Sequence, residues 1–527
     1  MLLGVSASWG LMGTRMAVSF LVMPLFYHYL PKELLGVWLL FASLGAVFAV
    51  SDLGMATVTA RALAWHQGKR SGQPAPVSLP SGLLDHRPED LVATVSRAYL
   101  GLGLSVLVLA GSFGFLYLGT LNLDLEALAE ARGAWCIYAL GLAFVLAGST
   151  PNYVLQGLGD VGLEAVGQTG ALWIGLLAQW RWLVAGGSLS GLAIIFFLQA
   201  VGTRAVLWAV LRRRHPWLFQ RRGHFRKALL RSLLGQSSGL FISSLCSLFI
   251  YQVNPVLIVS LLGSAALPDY SALIVLASMG MQLASAVPQA LMPFAAQRSA
   301  TGDAEGLRRL HRLSLKVSMG LQVTYTAVLL YGAPTWLSLW LGPGHFVGYP
   351  VLGLLCLFYL LEHQHVANAT FAFSSGRWPF APWSFAGGLL NTIFVYLGLK
   401  RFGLVGAAGG SVLAQLLTNN WYVVWYTLRR LGVGLVDYVN RVLAPLAGTA
   451  LLLAALALGW RAWVGPWMAL PGSWRSVPWA EAAPVLLGAV LLGLTAAVGT
   501  WYGSLEADER ALFMVRLGRL LPGKQGT

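Results

Sequence analysis

The sequence predicts an all-α polytopic membrane protein of about fourteen transmembrane helices, arranged as two six-helix lobes related by a pseudo-two-fold axis plus two C-terminal helices. Three observations carry this. Hydrophobic residues make up 57% of the 527 positions and charged residues only 10%, at a mean hydropathy of +0.69, so too little charge exists to solvate a globular surface of this size. Fourteen apolar runs are each long enough for a roughly 20-residue crossing. Runs in the first part of the chain recur in the second.

Taken in order, the spans run Ser8 to Tyr29, Leu35 to Arg61, Leu91 to Leu118, Ala134 to Leu155, Leu163 to Leu183 and Leu189 to Leu211. Six more follow: Leu234 to Leu262, Ser271 to Ala296, Leu313 to Leu341, Val347 to Phe373, Pro382 to Leu399 and Val405 to Tyr426. Val442 to Trp463 and Ala482 to Trp501 are the last two. The fifth and sixth runs resemble the eleventh and twelfth, and both pairs close on Leu-Arg-Arg, at Leu211 to Arg213 and Leu428 to Arg430. The expected domains are therefore an N-terminal lobe (1–214), a basic linker (215–232), a C-terminal lobe (233–430), two added helices (431–503) and a tail (504–527). The tail's Ala511 to Leu521 alternates basic and apolar residues and suits an interfacial helix.

Most of the 35 Lys and Arg residues fall on one side when the amino terminus is placed in the cytoplasm. Only Lys32, Arg132, Arg181, Lys400, Arg401, Arg461 and Arg475 fall on the other, which predicts both termini inside. The same distribution makes the net charge of +16 a topology signal and not a nucleic-acid footprint. Trp180, Trp182, Trp336, Trp340, Trp463, Trp467, Trp474 and Trp479 mark the opposite, outer ends. Cys136, Cys246 and Cys356 stand in separate runs with no partner at metal-ligand spacing and are expected to be buried packing residues.

Charges inside the spans are the candidate site. Asp52 lies nine residues from Arg61, ~13 Å from that membrane face, and Arg15 lies ~10 Å from it if the first two runs form a hairpin at Pro31 and Lys32. Arg204 is eight residues before Arg212, hence ~12 Å deep. The three form a set at one depth with a surplus positive charge, expected to pair Arg15 with Asp52 and leave Arg204 for an anion. Guanidinium is always charged and its fork fits phosphate oxygens, while the structural alternative is an ion network that pins the first lobe. Glu362 and His365 share a helix face and are candidates for ion coupling, as are Gln252 and Asn254, which with Pro255 interrupt the seventh run. The alternative for each is packing: a hydrogen-bonded polar pocket for the first pair, a kink for the second. His363 lies on another face with no evident role. No metal site and no cofactor is predicted. No Gly-x4-Gly-Lys-Ser/Thr, His-Glu-x2-His or Gly-x-Ser-x-Gly pattern occurs, so an enzyme or a direct user of ATP is not expected.

Four stretches carry a resemblance: Leu30 to Ala56, Gly157 to Leu172, the Gln252-Asn254-Pro255 cluster with Leu261 to Leu273, and Gln289 to Leu313. With them, Gly4 to Leu431 resembles the multidrug/oligosaccharidyl-lipid/polysaccharide exporter superfamily, and within it the polysaccharide (O-antigen type) flippases. The resemblance implies a cavity between two lobes, open alternately to each side. It implies movement of a polyprenyl-pyrophosphate-linked oligosaccharide from the cytoplasmic to the periplasmic leaflet of a bacterial inner membrane. Expected partners are that lipid-linked glycan, membrane lipids, H+ or Na+, and glycan-assembly proteins. A drug or cation antiporter of the same superfamily is the nearest rival, and a membrane glycan polymerase or ligase the rival from another class.

Overall fold

The computed structural model describes residues 2–49, 52–70, 86–373, 380–460, 462, 478–507 and 510. Among them every regular element is helical. Among the described residues twelve helices are long and apolar enough to cross a membrane, so this is a multi-pass membrane protein. The chain divides into two compact units, Met1–Ser271 and Ala272–Thr527. Segments 463–477 and 511–521, which hold three of the outer tryptophans and the amphipathic tail, lie outside the described residues.

The first unit begins with α1 (Leu2–Tyr29), α2 (Lys32–Ala49) and α3 (Met55–Arg70). The second apolar run was expected to be one helix; it is broken at Asp52 to Gly54. Leu53 (φ 55°) and Gly54 (φ 72°) are both left-handed, and Leu53 is the only described non-glycine residue with positive φ. Next come α4 (Pro88–Leu118), α5 (Leu125–Ala147), α6 (Thr150–Gly157), α7 (Val161–Val184) and α8 (Leu189–Arg214). Asp124 caps α5 by accepting from the Ala127 amide, and Pro151 opens α6 in its first turn, where no amide hydrogen is needed. The core is aromatic. Trp38 and Phe41 of α2 meet Trp135 and Tyr138 of α5, and Tyr138 stacks on Phe196 of α8. Gly114 makes room for the fully buried Trp135, since a Cβ there would stand 2.1 Å from the indole.

Beyond the basic linker, α9 (Lys227–Tyr251) and α10 (Val253–Leu262) also belong to this unit. They are separated at Gln252, in keeping with Pro255, which has no amide hydrogen to give to the helix turn before it. The linker is tied down by Asp90, whose two oxygens accept from the His224 amide (2.7 Å) and the Arg226 guanidinium (3.3 Å). Lys32 pairs with Asp269 at 2.6 Å, which holds the start of α11 (Leu267–Thr301) to the first unit.

The second unit continues α11 and adds α12 (Ala304–Leu341), α13 (Tyr349–Phe373), α14 (Ala381–Leu417), α15 (Asn419–Leu431), the short α16 (Leu435–Tyr438), α17 (Ala444–Gly459) and α18 (Pro478–Val498). α14 is a hairpin and not a single rod. Gly403 turns the chain (φ 56°, ψ −138°), and the backbones of Gly398 and Gly406 touch across it, so that a Cβ on Gly398 would stand 2.3 Å from the Gly406 oxygen. π-Helical turns, Val439–Leu443 and Gly499–Ser504, precede α17 and follow α18. Two apolar clusters hold these elements on α12: Leu315, Met319 and Val442 in one, Val323, Leu453 and Leu492 in the other. Cys246 and Cys356 are buried as expected, whereas Cys136 is exposed.

Candidate functional site

Within the first unit a cavity of about 500 Å³ opens between α1, α6, α7 and α8, lined by both Arg15 and Arg204. Arg15 donates from Nη2 to Gln168 Oε1 at 2.6 Å. Gln168 in turn donates its amide to Glu164 Oε1, and Asn152 Nδ2 reaches the same oxygen at 3.0 Å. Glu164 and Gln168 are four apart on α7, so one helix face presents both. Glu164 is 3% exposed and Asn152 6%, deep enough that the carboxylate needs these donors. Arg204 donates from Nε to the Val145 carbonyl at 3.2 Å, a carbonyl in the last turn of α5 that also accepts from Ser149 Oγ at 2.6 Å. Its stem lies over Gly148, where a Cβ would stand 2.7 Å from Cγ. Arg204 is also in electrostatic reach of Glu164 and Tyr153.

Asp52 is engaged elsewhere than the hairpin reading expected. Its carboxylate accepts from the Tyr99 hydroxyl of α4 and from the Ala56 amide at the start of α3. The reason Arg15 does not reach it is packing: α1 runs along α7 and has only slight contact with α2. A short turn makes two helices consecutive without making them neighbours over their length. The three charges are nevertheless linked. Tyr99 and Tyr153 hydrogen-bond with ring centroids 5.5 Å apart, and Tyr153 lies within electrostatic reach of both Asp52 and Arg204. The cavity lining itself carries Arg15, Arg204 and Glu164, a surplus of one positive charge, with Glu164 in the part the sequence assigned to Asp52. Glu164, Gln168, Asn152 and the two tyrosines were missed at the sequence level. The signal was Glu164 and Gln168 at helical spacing inside an otherwise apolar run.

In the second unit Glu362, 6% exposed, accepts from the Gln415 amide, and His365 Nδ1 stands 3.5 Å from the Asn419 carbonyl. Both thus face the junction where α14 gives way to α15. His363, which had no evident role, is fully buried against Ser285 Oγ at 3.3 Å. Further along α13, Gln364 donates to the Tyr438 hydroxyl (3.0 Å), and Asn368 meets His311 (3.0 Å), a buried polar row that the sequence reading did not single out. Gln252 and Asn254 lie in the first unit, at the α9 to α10 break. Among the described residues no group of three His, Cys, Asp or Glu side chains stands close enough to hold a metal ion.

No family model and no curated protein matches this chain. Solved structures do match in fold. The lipid II flippase MurJ in its inward closed conformation aligns at a TM-score of 0.64 and 11% identity, covering 98% of this chain and 100% of that one. An inward-facing multidrug resistance MATE family transporter of the MOP superfamily aligns at 0.63 and 14%, covering 79% of this chain and 94% of that one. A MOP superfamily transporter from Pyrococcus furiosus, whose binding pocket is described as of reverse polarity, aligns at 0.56 and 14%, covering 82% and 94%. At these identities the likeness is one of fold, and the proteins that share it are described as transporters.

Proposed function

We propose that this protein is a flippase that moves a polyprenyl-pyrophosphate-linked oligosaccharide from the cytoplasmic to the periplasmic leaflet by alternating access, driven by an H+ or Na+ gradient. The observation that carries the reading is the cavity with two arginines against one carboxylate, a lining suited to a pyrophosphate. Arg204 and Arg15 supply the cationic groups, and Asp52 acts on them through Tyr99 and Tyr153. Chain length supports the same reading. The MATE alignment leaves about a fifth of this chain without a counterpart, comparable with everything after Leu431, whereas the flippase alignment spans nearly all of it.

In this reading 1–214 and 233–430 are the lobes, 215–232 the linker, 431–503 the added helices and 504–527 the tail. Fourteen crossings result if the Gly403 hairpin counts as two and the broken α2 and α3 as one further span. Both termini face the cytoplasm of a bacterium whose inner membrane holds the protein, beside glycan-assembly partners. Glu362 and His365, together with Gln252 and Asn254, are the ion-coupling candidates.

A cation or drug antiporter is the second reading, favoured by Glu164, a buried carboxylate in the same cavity. Binding of a polyprenyl pyrophosphate and of a lipophilic cation to the purified protein separates the two. The flippase binds the anion and loses it with Arg204→Ala; the antiporter binds the cation and loses it with Glu164→Gln.

A further inference from the structure

Each unit carries the same arrangement of rings and cations at one helix end, away from the cavity. In the first unit Trp208 and Arg212 are four apart on α8, and in the second Trp425 and Arg429 are four apart on α15, so each pair shares a helix face. The Arg212 guanidinium lies over the Trp208 ring at 5.9 Å, and that of Arg429 over the Trp425 ring at 5.3 Å. A further ring flanks each pair. Phe219 of the linker stands 6.2 Å from Trp208 between centroids, and Tyr422 stands 5.8 Å from Trp425. In both helices a second arginine follows the first, Arg213 or Arg430, and a buried leucine precedes it, Leu211 or Leu428. The correspondence keeps the register of the sequence repeat.

The arginines set these ends apart. Other basic residues nearby are engaged by carboxylates: Arg214 stands 3.8 Å from Asp160, and Arg308 and Arg309 reach Glu305 at 3.9 and 3.0 Å. Among the described residues none of Arg212, Arg213, Arg429 and Arg430 forms an ion pair, and all of them are exposed. A ring attracts a guanidinium through its π face and accepts no conventional hydrogen bond from it, so the N–H fork stays open to an oxygen while the ring limits where it points. Two adjacent forks, planar and always charged, suit the several oxygens of one phosphate.

The surroundings specify a lipid. α8 and α15 each close an apolar segment long enough to cross a bilayer, and these arginines stand in their last turns, which is headgroup depth. α15 buries Val423, Val424 and Leu428 on one side and exposes Trp421 (48%) and Trp425 (47%) on the other, so Trp421, Trp425 and Arg429 make a row leading from the apolar stretch to the charge. On α8 the exposed Ala205, Val206 and Ala209 lie within two turns before Arg212 and Arg213. Indole rings favour this boundary, with headgroups on one side and acyl chains on the other. A soluble anion gains nothing from the apolar rows, whereas a phospholipid lays its chains on them.

We propose that Arg212 and Arg213 beside Trp208, and Arg429 and Arg430 beside Trp425, form two equivalent sites for the phosphate of an anionic glycerophospholipid, one in each unit. The acyl chains run along the exposed apolar faces of α8 and α15. This inference does not depend on what the cavity in the first unit carries.

The test uses the full-length protein and native mass spectrometry, with phosphatidylglycerol and phosphatidylcholine as probes. Arg212→Gln and Arg429→Gln should each lower the population that retains two phosphatidylglycerol molecules roughly fivefold and leave the singly bound population in place, while the double variant should lose both. Trp425→Leu, which keeps an apolar side chain and removes the ring, should act in the same direction as Arg429→Gln. Phosphatidylcholine retention should be unchanged in every variant. Arg309→Gln, an exposed cation already paired with Glu305, should change nothing. The substituted side chains are all exposed, and an unchanged thermal midpoint will verify that the variants fold. Unchanged phosphatidylglycerol retention in the double variant, or an equal loss with Arg309→Gln, would overturn the sites. Displacement by inorganic phosphate as readily as by short-chain phosphatidylglycerol would overturn their assignment to a lipid.

Discussion

Arg204→Ala and Glu164→Gln should shift anion affinity in opposite directions, and that opposition is the sharpest consequence of the cavity. Arg204 lies in the wall with its Nε on the Val145 carbonyl, which leaves the terminal guanidinium nitrogens to reach an anion in the cavity. A charge-assisted hydrogen bond is worth ~1.5 to 3 kcal/mol, so its removal should weaken binding of a polyprenyl pyrophosphate roughly ten- to hundredfold. Arg204→Lys keeps the charge without the fork and should fall between. Glu164→Gln keeps an oxygen to accept from Asn152 while removing the one carboxylate of the lining, so the surplus rises from one positive charge to two. Anion affinity should then rise, and release in the transport cycle should slow. The assay is binding of the pyrophosphate lipid to purified variants at fixed low salt, followed by export in vesicles. A fall in affinity with both substitutions, or no change with Arg204→Ala, would refute the assignment of the cavity to an anion.

Arg15→Ala should leave membrane abundance near normal, because the exposed guanidinium is bonded to neutral Gln168 and its loss strands no buried charge; immunoblotting against a tagged chain measures this. Tyr99→Phe removes a hydroxyl donor from Asp52 and should destabilise the protein by ~1 to 3 kcal/mol, read as a lowered thermal midpoint that Asp52→Asn partly restores. For topology, Arg221→Cys should be protected from an impermeant thiol reagent outside and Asn122→Cys labelled; Gly223 is a poor probe site, since a Cβ there would stand 2.1 Å from the Glu89 oxygen. His66, near the end of α3 beyond the predicted span, is buried, and burial holds its pKa below the ordinary 6.5. The unfolded chain therefore binds this proton more readily, so stability should be full above pH 6.5 and fall as the pH drops below it. His66→Asn should flatten that dependence in melts taken across the range.

Much of the fold was legible because a backbone in lipid must satisfy its own hydrogen bonds, which forces long apolar helices whose ends show as loops and charges. The interruption at Gln252 was legible from Pro255, and the turn at Gly403 from the Lys400 to Gly403 break between apolar runs. The break after α2 was not, because Asp-Leu-Gly inside an apolar run reads as an ordinary helical stretch until the left-handed Leu53 is seen. In the site, Arg15 and Arg204 could be recognised by type and depth, since buried charge is costly wherever it occurs. Their partners could not, because a partner depends on which helices pack side by side. α1 lies on α7, over a hundred residues away, and that choice rests on surface fit along both helices and leaves no mark in the connection between α1 and α2.

The break and the charge at Asp52 are best understood together. A carboxylate at that depth needs donors, and an ion pair is one way to supply them. The structure supplies them otherwise: interrupting the helix frees the first amides of α3, and Asp52 accepts from that of Ala56 while Tyr99 donates its hydroxyl. The partial positive charge of the α3 amino end adds to the same effect, so Asp52 is stabilised without a cation. A left-handed Leu53 costs about 1–2 kcal/mol, which a cap and a charge-assisted hydrogen bond together can offset. Because Asp52 requires no guanidinium, Arg15 is able to turn to Gln168 and Arg204 to the cavity wall, and the positive surplus of the lining stays available to a ligand.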